Sequence, residues 1–411
     1  MKVFLSWLEE HFAPRAQKVS NNIWVATLKE SIFQVLPFIL LGSVFAMLAV
    51  LGDVNPWFFN FWTLFGWTMG IISLLIAFLI PFNLMEKKRL RKQRIIAGLT
   101  GSVAFLIIVT PQLVVDGAIG VGHGAFGAEG MFVAIVAGVL TGIVMTAFGK
   151  FSFFKETSAI PDFVRAWFDQ MLPLAVVIVP VWLIADIFAI DIYNALLFVF
   201  MPLQNVIEHP VGFIIFTFIQ VFLYSMGISP WVLAPVSSPV MLAAIVANME
   251  STGANIVTGT AIYSSYLWIG GIGATLPLVF MMIRSKAKKL SAVGRASLLP
   301  GILNINEPVV FGAIVWNPIL MIPMWIQGII LPFLMWFFTV GIPFAPIPMV
   351  QFEMWYTPFP ISTWLTTQSI MGLALFLIIF VVASLIWYPF LKIYEKQELA
   401  AELATNEAKN S

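Results

Sequence analysis

The sequence predicts an all-α polytopic membrane protein with about ten transmembrane helices. Of its 411 residues, 60% are hydrophobic and only 10% are charged, whereas about a quarter of the residues in a soluble globular protein are charged. The chain also contains repeated apolar runs of the length that crosses a bilayer. Because a water-soluble core cannot bury this much apolar surface, the sequence excludes an ordinary soluble domain.

Ten apolar segments have the length and composition of membrane spans. They lie at 31–51, 62–85, 95–115, 131–149, 172–190, 210–228, 231–249, 261–283, 313–340 and 368–390. The segment 231–249 is the weakest, because it is short and holds Pro235 and Pro239. A re-entrant hairpin is the alternative for that segment.

The basic residues predict the orientation, since Lys and Arg accumulate in the cytoplasmic loops of membrane proteins. With both termini in the cytoplasm, all 21 Lys and Arg residues fall in predicted cytoplasmic segments and none in the outside loops. Those cytoplasmic segments are 1–30, 86–94, 150–171, 229–230, 284–312 and 391–411. If 231–249 does not cross the membrane, basic residues that follow it fall outside, unless a compensating helix lies within 341–367. We therefore expect a multi-pass protein in contact with membrane lipid.

Composition and motifs exclude several classes of function. The chain has no cysteine, which excludes disulfides and thiolate chemistry on it. Its net charge of +1 gives no basis for a nucleic-acid partner, because the positive charges serve topology. It has no HExxH or GxSxG motif and no pair of side chains at catalytic spacing. We expect no cofactor, no metal site and no catalytic residue of its own.

The stretch PGILNINEPVVFG at 300–312 places Glu307 among helix breakers in an apolar chain. An ionised carboxylate at bilayer depth costs about 2.5 to 3.5 kcal/mol, so it usually faces a cavity or a partner. Broken segments of this kind line transporter sites, and Asn304 and Asn306 add amide groups that suit a polyol. The alternative is that Glu307 caps a helix in a cytoplasmic loop.

Two other stretches are equally irregular. GISPWVLAPVSSPV at 227–240 contributes Ser229 and Trp231, and QFEMWYTPFPISTW at 351–364 contributes Trp355. We expect Ser229 and Trp231 to form the wall opposite Glu307, and Trp355 to stack on a sugar ring. Aromatic residues in such a stretch also serve as an interfacial belt, which is the alternative for Trp355.

These segments carry a family resemblance. NINEPVVFG followed by WNPILMIPMW resembles the membrane subunit, enzyme IIC, of the lactose/cellobiose family of sugar phosphotransferase systems, and so do WIGGIGATLPLVF, YTPFPIS and IWYPFLKIYEKQE. The resemblance implies a homodimer of ten-span protomers with re-entrant hairpins in a bacterial inner membrane. It also implies that a separate IIB subunit, served by IIA, phosphorylates the sugar from a phosphocysteine.

The family's substrate glutamate corresponds to Glu307, near the sugar hydroxyl that is phosphorylated. Its GIHG histidine has no counterpart, because this chain reads GISPW at 227–231. A serine can donate a hydrogen bond but cannot take up a proton as histidine can. The favoured function is a permease subunit for a disaccharide or β-glucoside. The alternatives are a phosphorylation-independent sugar transporter and a non-transporting receptor on the same scaffold.

The expected organisation has four parts. Residues 1–30 form a cytoplasmic amphipathic segment, and residues 394–411 form a cytoplasmic tail. Residues 31–200 form a first membrane half that carries the dimer contacts. Residues 201–393 form the substrate-binding half, with the candidate site residues Glu307, Asn306, Asn304, Ser229, Trp231 and Trp355.

Overall fold

The structure is a computed structural model that describes residues 8–54, 59–115, 118–119, 123–128, 130–154 and 161–410. It confirms the all-α membrane class. Within these residues, seven helices are long and apolar enough to cross a membrane, and each coincides with a predicted span. They are Ile23–Ala46, Trp62–Lys87, Arg91–Thr110, Val164–Ile187, Pro230–Met249, Pro318–Gly341 and Ile370–Ala404.

The remaining apolar helices are shorter. Ile192–Glu208 and Pro210–Ser225 reach the length of a membrane span only when they are counted together, and Met131–Ala147 is shorter than a span. The segment 231–249, the weakest on sequence grounds, is helical and reaches spanning length together with the turn before it.

The helical elements are defined as follows. In chain order they are α1 (Ala13–Ser20), α2 (Ile23–Val54), α3 (Trp62–Thr68), α4 (Ile72–Lys87), α5 (Arg94–Leu113), α6 (His123–Phe126), α7 (Met131–Ala147), α8 (Asp162–Trp182), α9 (Ile192–Glu208), α10 (Pro210–Ser225), α11 (Ala234–Met249), α12 (Leu276–Ile283), α13 (Lys288–Ile302), α14 (Glu307–Val309), α15 (Pro318–Trp336), α16 (Ile361–Thr367) and α17 (Ile370–Asn410). Shorter π or 3-10 turns lie at Leu8–Phe12, Met69–Ile71, Arg91–Gln93, Leu183–Ile187, Pro230–Leu233, Thr260–Ser265, Val310–Ile314 and Phe337–Gly341. A minimal antiparallel hairpin pairs β1 (Val114–Val115) with β2 (Ala118–Ile119).

Two predictions need correction. The segment 191–209, expected as an outside loop, contains α9, because the Asp191 carboxylate accepts a hydrogen bond from Asn194 N at 2.9 Å and so caps the start of a helix. The segment 261–283 is not one continuous span, because backbone with positive φ at Gly270 and Gly271 breaks it. Within the predicted tail 394–411, α17 continues as far as residue 410, and the Glu398 carboxylate pairs with Lys289 at 2.8 Å.

The chain consists of two compact units, each packed mainly against itself. One comprises residues 21–203 and 234–239. Its largest fully buried side chains include Phe105, Ile72, Ile76 and Leu84, so its core lies where α4 packs against α5 and α7.

The other unit comprises residues 1–20, 204–233 and 240–411, and it contains all six candidate site residues. Trp268, Trp387, Tyr266 and Phe352 are its largest fully buried side chains, together with Phe213. Proline opens two of its helices behind a side-chain cap: His209 accepts from Val211 N before α10, and Asn317 accepts from Ile319 N before α15. These caps fix where the backbone changes from irregular to helical.

Candidate functional site

Two stretches of irregular backbone meet in the second unit, at 268–276 and 303–309. Gly270 and Gly271 have φ of +80° and +101°, and Asn304 has φ of +60°. Glycine adopts this region freely and asparagine tolerates it. A Cβ atom on Gly271 would lie 2.7 Å from Asn306 Nδ2, so the two stretches approach this closely only because residue 271 is glycine.

Asn304 ties three segments together. Its Oδ1 accepts a hydrogen bond from Gly270 N at 2.9 Å, and its Nδ2 donates to the backbone oxygens of Trp355 at 2.6 Å and Thr357 at 3.0 Å. The side chain is only 7% exposed. Because both amide hydrogens are engaged, Asn304 positions the backbone around the site and has no donor left for a ligand.

Asn306 performs a similar task one turn away. Its Nδ2 donates to the backbone oxygen of Ile272 at 2.8 Å, and its Oδ1 accepts from the Tyr224 hydroxyl at 3.2 Å. The residue is buried. Both polar atoms that were predicted to bind sugar hydroxyls therefore already contact protein groups.

A cavity of about 230 Å³ opens between these segments. All six sequence-predicted site residues line it, so three separated stretches of sequence meet at one place. The full lining consists of Tyr224, Ser229, Pro230, Trp231, Tyr263, Trp268, Gly271, Ile272, Asn304, Ile305, Asn306, Glu307 and Trp355.

Glu307 is the one charged residue in this lining. It begins the short helix α14, immediately before Pro308, and its side chain is exposed. Within the described part of the chain its carboxylate accepts no hydrogen bond, so the structure offers no capping contact for it. The carboxylate is therefore available to accept hydrogen bonds from a ligand in the cavity.

Aromatic side chains form much of the remaining wall. The rings of Trp231 and Tyr263 stack with centroids 5.8 Å apart and planes 21° apart. Gln220 fixes this arrangement, since its Nε2 donates to the Tyr263 hydroxyl at 2.7 Å and its Oε1 accepts from Trp268 Nε1 at 3.2 Å. Flat, immobilised rings of this kind suit the apolar face of a sugar.

Ser229 lies in the GISPW stretch, whose resemblance to the family's GIHG motif leaves open whether serine replaces the histidine or the histidine is deleted. Ser229 is half-buried in the cavity wall, and its backbone oxygen accepts from Val232 N at 3.1 Å as the turn Pro230–Leu233 begins. None of the lining residues is a histidine.

Sequence reasoning did not identify Tyr224, Tyr263 and Trp268 as site residues. They lie in stretches whose apolar composition is typical of a membrane core, and nothing in their spacing distinguishes a cavity wall from packing. The useful signal was the glycine cluster at 270–273, which marks a close approach of two backbones.

Comparison with known proteins identifies the family. The family model described as "Phosphotransferase system, EIIC" matches residues 29–328. The lactose-specific EIICB component of Staphylococcus epidermidis is 28% identical over 100% of this chain and 74% of its own length. The cellobiose-specific EIIC component of Geobacillus stearothermophilus is 28% identical over 98% of this chain and 97% of its own.

A solved structure agrees with these relatives. The crystal structure of ChbC, the IIC component of the N,N'-diacetylchitobiose-specific phosphotransferase system, superposes with a TM-score of 0.85 at 28% identity, covering 96% of this chain and 99% of that one. The matched family region includes the cavity segments from Tyr224 to Glu307. The chain therefore belongs to the EIIC family of membrane components of sugar phosphotransferase systems.

Proposed function

We propose that this EIIC protein binds a neutral disaccharide or β-glucoside in the cavity around Glu307 and carries it across the membrane for phosphorylation by a separate IIB subunit. The observation that supports this most is the convergence of Glu307 with Trp231, Trp355 and Ser229 on one cavity. The relatives specific for lactose and cellobiose support a β-linked disaccharide.

In this proposal Glu307 accepts hydrogen bonds from sugar hydroxyls, and Trp355 with Trp231 contacts the apolar ring faces. Asn304 and Asn306 act as positioning residues rather than as principal sugar ligands, because their polar atoms already contact protein groups. This changes the role expected of Asn306 from its sequence, although its place in the cavity wall stays the same.

The phosphoryl group would come from the phosphocysteine of IIB. The S–P bond of that group breaks as an O–P bond forms to the sugar hydroxyl, and the hydroxyl proton passes to the Glu307 carboxylate that already accepts its hydrogen bond. Ser229 can only orient the hydroxyl, so Glu307 is the one proton acceptor with carboxylate basicity in the cavity wall.

Binding to the Glu307→Gln variant tests the site. Losing one charged hydrogen bond costs about 1.5 to 3 kcal/mol, or roughly ten- to hundredfold in affinity. Isothermal titration of the detergent-solubilised variant with cellobiose and lactose measures this loss, and Glu250→Gln, an exposed position outside the cavity, serves as a matched control. Equal affinity in Glu307→Gln and the parent protein would refute the assignment.

Uptake decides between the permease and its alternatives. Membrane vesicles supplied with phosphorylated IIB should accumulate sugar phosphate, and vesicles with unphosphorylated IIB should not. Equal uptake of free sugar without IIB would favour the phosphorylation-independent transporter that the missing histidine suggests. Binding without uptake in either condition would favour a receptor.

The assembly and the orientation belong to the same proposal. Family resemblance supports a homodimer formed through residues 31–200, with both termini in the cytoplasm of a bacterial cell. Cross-linking of the protein in native membranes would test the dimer, and a monomer at all cross-linker concentrations would contradict it.

A further inference from the structure

We infer that the cavity discriminates by charge: it accepts uncharged or cationic sugars and rejects anionic ones, including the phosphorylated product of its own sugar. The inference rests on the proposed function and specifies the substrate class further. Its first support is the charge of the lining. Glu307 is the single ionised residue among the thirteen, and none of them is Lys, Arg or His.

Several hydrogen-bond donors of the wall are directed at protein acceptors. The Asn304 and Asn306 amides donate to backbone oxygens, the Tyr224 hydroxyl donates to Asn306, and the Trp268 indole N–H donates to Gln220. The backbone N–H of Gly271 is likewise engaged, by the Trp268 oxygen at 2.9 Å. A phosphate or carboxylate in the cavity would find these donors already engaged, and the lining offers it no cationic side chain in place of its hydration shell.

The aromatic rings of the wall also disfavour an anionic ligand. The faces of aromatic rings carry the negative part of the ring quadrupole, so they attract cations and C–H groups and repel anions. Trp231, Tyr263 and Trp355 all line the cavity. A neutral sugar presents C–H groups to these faces and hydroxyl donors to Glu307.

No cation from the neighbouring cavity compensates for this charge. A second cavity in the same unit is lined by Lys289 with Phe311 and Asn317. The Lys289 ammonium already pairs with Glu398 at 2.8 Å and donates to the Tyr394 hydroxyl at 3.3 Å. It is thus held at the end of α17 and lines a cavity different from that of Glu307.

Phosphorylation would consequently weaken binding once Glu307 has released to water the proton that it took up from the hydroxyl. A phosphate ester carries a charge of about −1.5 to −2 at pH 7, and it replaces the hydroxyl that donates to Glu307. A carboxylate and a phosphate a few ångström apart repel each other even when solvent screens them. The bound sugar therefore changes from a ligand that fits the cavity to one that it rejects.

The test compares four ligands of nearly equal shape by isothermal titration of the full-length protein in detergent. They are cellobiose, its 6'-O-methyl ether, its 6'-phosphate and 6'-amino-6'-deoxycellobiose. We expect the phosphate to bind at least about tenfold more weakly than the methyl ether, and the amine to bind at least as tightly as the methyl ether. The methyl ether controls for size at the substituted oxygen.

Two variants assign the effect to Glu307. In Glu307→Gln the ratio of phosphate to methyl-ether affinity should rise toward one, whereas Glu307→Asp, which keeps the charge, should retain the discrimination. A 6'-phosphate within threefold of the methyl ether in the parent protein, or an unchanged ratio in Glu307→Gln, would overturn the inference. If Glu307→Gln does not fold, the parent protein's ligand ratio decides alone.

The same measurements separate this inference from the proposed function. Binding of both cellobiose and its phosphate would leave the sugar-binding proposal standing and overturn charge discrimination. Binding of neither cellobiose nor lactose nor N,N'-diacetylchitobiose would overturn the proposed function and the inference with it.

Discussion

Replacing Asn304 by aspartate tests whether this residue builds the site or binds the sugar. Aspartate has the same shape and also tolerates positive φ, so the backbone at +60° stays accessible to it. Its carboxylate keeps the acceptor for Gly270 N. It loses the donors for the backbone oxygens of Trp355 and Thr357 and opposes them with another acceptor.

The size of the effect follows from these contacts. Leaving a buried polar partner without its hydrogen bond costs about 1 to 3 kcal/mol, and two carbonyl oxygens lose a donor in Asn304→Asp. The expected loss in the free energy of unfolding is therefore about 2 to 6 kcal/mol, a large part of the typical total of about 5 to 15 kcal/mol. The Trp355 ring, which lines the cavity, would move together with its backbone.

Two measurements on the same purified variant check this prediction. The thermal unfolding midpoint in detergent should fall by several degrees, at roughly 2 °C per kcal/mol for a large chain. Sugar affinity should fall as well. Asn22→Asp is the matched control, because Asn22 is exposed and uses only its oxygen, as the acceptor for Trp24 N at 2.9 Å. An Asn304→Asp protein with the parent midpoint would refute the positioning role, and weaker binding at an unchanged midpoint would indicate direct sugar contact.

Three further predictions follow from the same unit. Gly271→Ala should destabilise the protein by about 2 to 4 kcal/mol, because alanine is strained at φ +101° and its Cβ would displace the Asn306 amide. Glu353→Gln should stabilise the protein at pH 8 relative to the parent and have little effect near pH 4, because burial raises the pKa of Glu353 from 4.5 to about 7. With both termini cytoplasmic, a cysteine at the exposed position Ala254 should react with an impermeant thiol reagent from outside, and one at exposed Ala292 should not.

Each of these has its own control. Gly301→Ala introduces a Cβ that would meet only ordinary contacts, the nearest at 3.5 Å, so thermal unfolding should show little or no loss for it. For Glu353 the sign of the stability change follows from linkage. Its folded-state pKa lies above the unfolded value, so its favourable contribution to the free energy of unfolding is full below pH 4.5 and is lost as the pH rises through about 7. A stability difference that does not vary with pH would contradict it. Labelling from outside of the cysteine at Ala292 but not of the one at Ala254 would indicate the opposite orientation in the membrane.

The sequence predicted the membrane class and ten spans, seven of which coincide with helices of spanning length in the described residues, because both depend on composition and length. Apolar runs and basic residues are local signals, and α5 or α17 follows from them directly. The helix α9 was missed because its start depends on the Asp191 cap, a local polar contact that apolar composition does not reveal. The break within 261–283 was missed because the segment was predicted as a span from its apolar composition, whereas the positive φ of its glycines bends the backbone.

The sequence likewise identified some residues of the candidate site and not others. Glu307, Trp231 and Trp355 stood out because a charge, prolines and aromatic residues interrupt apolar sequence. Tyr224 and Trp268 did not, because their place in the cavity depends on pairings with Asn306 and Gln220, which lie 82 and 48 residues away in the chain. Long-range side-chain pairs of this kind leave no periodic trace in a single sequence.

The roles of Asn304, Asn306 and Glu307 show why such an irregular segment carries polar residues. Irregular backbone in an apolar surrounding needs partners for its free N–H and C=O groups, and the two asparagines supply them to Gly270, Ile272 and the 355–357 stretch. Once those groups are satisfied, Glu307 is left as the acceptor that the protein itself does not use. A hydroxylated ligand is then the natural partner for it, because water or a sugar can hydrogen-bond this carboxylate and a lipid chain cannot.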